Sequence, residues 1–182
     1  MGFDLLKGLQ NLLDAFEKED PPALKSLGNE LIRRACAKTN YNLANISVIA
    51  YSLYKILSKE HFVKNPKWQK VSESIRTEIT RAIKACQKED YSALNIHLGH
   101  VIQNIESIDR DLSNYARNIF EKAKIKQAST AYAIGLSLNQ AASITGADRK
   151  ELQKYIGITT IHDEIKETGI EQRMKILRGV LK

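Results

Sequence analysis

The sequence predicts an all-α fold, a helical bundle with one long central helix and a C-terminal helical hairpin. Two observations carry this. Apolar residues recur at steps of three and four along almost the whole chain, and no stretch alternates as a strand would. The three prolines fall outside the periodic runs, and with 43% hydrophobic residues a core can be buried unaided.

The elements follow in order. "FDLLKGLQNLLDAFEKED" puts Phe3, Leu6, Leu9, Leu13 and Phe16 on one face and ends in acid, which disfavours docking on an anionic membrane. "PPALKSLGNELIRRACAKTN" starts on prolines, which suit a first helical turn because its N–H groups lack intrahelical partners. Its stripe is Leu24, Leu27, Leu31 and Ala35. In the next helix Ile46, Val48, Ile49, Ala50, Leu53, Ile56 and Leu57 leave little polar surface, predicting a buried central position. After "VKNP" comes a two-faced helix. Trp68, Val71, Ile75, Ile79, Ala82 and Cys86 line one side; Lys67, Lys70, Ser74, Thr77, Arg81, Lys84 and Lys88 line the other, with Glu73 and Glu78 near its edges.

Leu94, Leu98, Val101, Ile105, Ile108, Leu112, Tyr115 and Ile119 then form a heptad seam. Unbroken to Ala133, it would make a rod of roughly 60 Å. The seam can run through the bundle core or hold a homodimer together. Ser107 and Asp109 in "SIDRDLS" could instead cap a second helix. Organisation as residues 1–108, an N-terminal bundle, and 109–182, the long-helix continuation and hairpin, follows.

In "LSLNQAASITGADRKELQKYIG", Ala142 is a small residue for a close helix crossing, and Gly146 supplies the turn. Asp148 caps a second helix with Glu151 three residues on, Leu152 points back, and Gly157 ends it. This spacing over Leu138–Ile156 resembles the helix-turn-helix of bacterial and archaeal regulators. Thr145 departs from it where an apolar residue is common, and Asp148 stands where Ser or Thr is usual. Residues 23–57 and 141–164 also resemble blocks of an archaeal family of all-helical proteins. That resemblance implies a cytoplasmic archaeal origin and no activity.

Net charge is +7, unevenly spread: −3 over residues 1–20, +9 over 21–88 and +1 over 89–182. The basic field therefore belongs to the N-terminal half. A non-enzymatic nucleic-acid-associated protein is expected, with DNA ahead of RNA. Lys67, Lys70, Arg81, Lys84 and Lys88 would supply affinity, and Arg149, Lys150, Gln153 and Lys154 orientation. The tail residues Arg173, Lys175, Arg178 and Lys182 could add charge, or line the outer face of a last helix that buries Ile170, Met174, Leu177 and Leu181. The alternative is an adaptor or antitoxin-like module that holds a protein partner; a small helical enzyme ranks third.

No catalytic residue, cofactor or metal is expected. Cys36 and Cys86 are far apart. "HLGH" sets His97 and His100 one helical turn apart, but no carboxylate lies within the turn before them. The Arg-then-His spacing of helical toxin ribonucleases is missing before His61, His97, His100 and His162. No run is apolar enough for a membrane span and no leader is seen, so a cytoplasmic location is expected.

Overall fold

The computed structural model describes residues 2–111 and 119–167, with side chains for 4–108 and 119–158. Among them every regular element is a helix, so the all-α class stands. These are α1 Gly2–Glu17, α2 Pro21–Lys38, α3 Tyr41–Leu57, α4 Glu60–Val63, α5 Trp68–Gln87, α6 Tyr91–Asp111, α7 Ile119–Ala133, α8 Leu138–Thr145 and α9 Arg149–Glu167. None is long and apolar enough to cross a membrane.

One turn joins successive helices five times. An N–H two or three residues past the helix end bonds back to the carbonyl of Ala15, Ala35, Ala85, Ala131 or Ala142. Between them Glu19, Thr39, Glu89, Gly135 or Gly146 takes positive φ. This is the Schellman closure, which satisfies carbonyls left over at a helix end. All five alanines are buried, so a small side chain stands wherever the chain doubles back. A polar residue then caps the next helix. Asp20, Asn40, Asp90 and Asp148 accept the N–H groups of Ala23, Leu43, Ala93 and Glu151, at 2.9 to 3.1 Å. Ser137 and Gln140 form a reciprocal capping box.

The stripe on α2 is buried as its spacing predicts. α3 is the central helix, packed against α1, α2, α4, α6, α7 and α8. Leu43, Ile46, Ile49, Leu53 and Ile56 on it are wholly buried.

The single long helix is replaced by two. α6 and α7 pack against each other. Successive parts of one straight helix eight residues apart would be separated by roughly 12 Å and could not touch in this way. Both helices pack against α3 instead. Leu94, Leu98, Val101, Ile105 and Ile108 are at most 2% exposed within the chain's own core. The seam they form is therefore not a free face for a second copy. Leu112 and Tyr115 lie outside the described residues, as does the proposed last helix with Ile170, Met174, Leu177 and Leu181.

One cluster of buried side chains runs from Leu5 to Leu152, so the core continues across the boundary drawn at residue 108. Gly146 has φ +67°, as its turn requires. Thr145 sits buried at its apolar position because its hydroxyl donates to the Ala141 carbonyl at 2.9 Å. Gly157 does not end the last helix: α9 continues through it to Glu167.

Candidate nucleic-acid interface

Helical spacing on α3 sets Tyr51, Lys55 and, just past the helix end, Lys59 along one line. On α7 the same spacing aligns Ile119, Lys122, Ala123 and Lys126. Val48 and Tyr51 of α3 pack on Ala123, whose small side chain lets the phenol ring come close. With Tyr155 from α9, the two aligned sets line a recess of about 250 Å³.

The chemistry of the recess is one-sided. Four of its eight lining residues are lysines and none is a carboxylate. Among the described residues, none of the four makes an ion pair. Lys55 lies over the rings of Tyr51 and Tyr54, its Nζ 5.5 and 5.2 Å from their centroids. The negative ring faces hold that ammonium without neutralising it. Burial, reinforced by the neighbouring Tyr54 and Tyr155 phenols, pushes the Tyr51 pKa up to about 12. Tyr51 therefore stays a neutral O–H donor across the physiological range.

The residues expected from sequence fall into two separate groups. Lys67, Lys70, Arg81, Lys84 and Lys88 are all exposed along α5, which packs on α1 and α6. Arg81 is engaged locally, donating to Glu78 Oε1 at 2.6 Å. Glu78 is not at the edge of the basic face. It turns inward and is 6% exposed. Arg149, Lys150, Gln153 and Lys154 are exposed on the first two turns of α9, which packs on α7 and α8. Asp148 and Glu151 are exposed among them. The two groups are thus not assembled on adjoining helices.

The recess and the second group share α9, which contributes Tyr155 to the lining. Sequence reasoning missed Lys55, Lys59, Lys122 and Lys126. Their i, i+4 spacings were visible signals, but the approach of α3 to α7 was not.

No protein-family model matches the chain, and neither a curated protein nor a solved structure matches it. The functional reading therefore rests on the residues themselves.

Proposed function

We propose that this chain is a non-enzymatic nucleic-acid-associated protein that grips a phosphate backbone in the recess between α3, α7 and α9. The carrying observation is the set Lys55, Lys59, Lys122 and Lys126 around two phenols, with no carboxylate in the lining. Ammonium groups gathered without counter-charges attract phosphate and release its counterions on binding. The α8–α9 pair, read as a helix-turn-helix, extends this surface. Arg149, Lys150, Gln153 and Lys154 then orient a duplex, and Arg149 and Gln153 have the chemistry to read base edges. The lysines of α5 form a separate field that supports approach rather than grip.

The test is binding of labelled duplex DNA across a salt series. Replacing the four recess lysines with glutamine should weaken binding strongly. If all four meet phosphates, the slope of log affinity against log salt should fall by roughly 3 to 4, since each phosphate contact contributes about 0.9. Changing Arg149 and Lys150 to alanine should cost less and alter sequence preference. Loss of binding from Lys70, Lys84 and Lys88 replacements, with none from the recess, would return the interface to α5. No binding of DNA or RNA even in dilute salt would defeat the reading.

A protein-partner reading rests on a different observation. Tyr132 and Ile134, at the end of α7, and Ile158 on α9 are 43%, 44% and 58% exposed. An adaptor using them would bind its partner with little salt dependence, and replacing Ile134 and Ile158 with serine would abolish that binding.

A further inference from the structure

Away from the recess, α5 and α6 bring two histidines and a carboxylate together. His97 and His100 are three residues apart, so both imidazoles leave the same side of α6. Facing them from α5 is Glu78, whose charge is buried where the amphipathic pattern of that helix would not place one. The Nδ1 atoms of His97 and His100 lie 2.8 and 3.0 Å from the same oxygen, Glu78 Oε2. One donor atom from each of the three residues falls within a sphere where all are within 4.8 Å of one another.

We propose that Glu78, His97 and His100 bind a divalent first-row transition ion, zinc being the best fit. The donor set argues for that class. Two imidazole nitrogens with one carboxylate oxygen suit zinc and its neighbours, whereas magnesium and calcium favour shells of oxygen. The geometry is near what is needed. Bonds of about 2.0–2.1 Å at tetrahedral angles set ligand atoms roughly 3.3 Å apart. The two nitrogen–oxygen separations must widen by only a few tenths of an ångström, and the two imidazoles offer ligand nitrogens within 4.8 Å of each other. His100, nearly half exposed, has room to supply that movement. Its exposure also leaves a coordination position facing solvent.

Proton accounting is consistent with the site. An ionised carboxylate only accepts hydrogen bonds, so in the metal-free protein each Nδ1 carries the proton. On binding, each Nδ1 lone pair goes to the ion and the proton of a neutral ring sits on Nε2. The oxygen not facing the imidazoles is already occupied, since Arg81 donates to Oε1. That contact keeps the carboxylate turned toward the two histidines, a common outer support for a ligating carboxylate. The bound ion would tie α5 to α6.

Titration of the full chain with zinc should give one ion per chain by calorimetry and a higher thermal midpoint. Cobalt(II) should give a visible absorption band that zinc displaces. His97→Gln and His100→Gln should each weaken zinc binding by at least about 10-fold, because even supporting residues around a metal cost 10–100-fold. His61→Gln should change nothing, which separates this site from ordinary surface histidine binding. Glu78→Gln should also weaken binding; if it fails to fold, the half-exposed His100 still decides. Zinc affinity equal in the parent and the His97→Gln/His100→Gln double variant would overturn the proposal, as would a thermal shift that survives in that variant.

Discussion

Gly28 on α2 and Ser47 on α3 are in backbone contact distance. A Cβ added at Gly28 would lie 3.1 Å from the Ser47 carbonyl oxygen and 3.4 Å from Gln127 Nε2. The closest atom is main chain in the central helix and cannot swing aside. Gly28→Val should therefore destabilise the protein by about 1–3 kcal/mol, the usual cost of overpacking. Chemical denaturation measures it, and an unchanged midpoint would mean that α2 and α3 are not so close.

The shared turn gives a pair of opposite expectations at equivalent positions. Gly146→Val forces a β-branched residue to positive φ and should cost on the order of 1–2 kcal/mol. Thr39 already pays that strain at φ +47°. Thr39→Gly should thus stabilise the protein by up to about 1 kcal/mol, less the entropy that glycine loses on folding. Thermal melts of the two variants should move in opposite directions.

Glu78 predicts a pH dependence with a definite sign. Burial raises its pKa, but hydrogen bonds from His97, His100 and Arg81 together outweigh this and hold it below the usual value of 4.5. A carboxyl depressed in the folded state contributes stability above its unfolded pKa and loses it as pH falls through the lower, folded value. Metal-free protein should consequently lose stability in acid, beginning near pH 4.5 and continuing below it. In Glu78→Gln that part of the loss should disappear; a parallel acid limb in both proteins would count against the pairing.

Ile105 distinguishes a core seam from a dimer seam. It is fully buried within the chain. Ile105→Asp should unfold the protein, or at least cost several kcal/mol, because an unpaired carboxylate would enter an apolar interior. A folded, monomeric Ile105→Asp variant from a dimeric parent would restore the seam as an interface between copies.

The sequence by itself determined what depends on near neighbours along the chain. Helix-period stripes such as Leu24, Leu27, Leu31 and Ala35 told which face turns inward, since burial follows the angle between successive side chains. Gly146 and Asp148 marked a turn and a cap because each acts within a few residues of itself. Tertiary structure decided what depends on distant segments meeting. That α6 and α7 are separate helices, both packed on α3, is a matter of distant segments meeting, which the spacing of apolar residues along the chain does not reveal. Glu78 turns inward because its partners come from another helix, and a charge is buried only where partners meet it. Lys55 and Lys59 join Lys122 and Lys126 for the same reason: a field made by residues more than 60 positions apart exists only once α3 and α7 pack together.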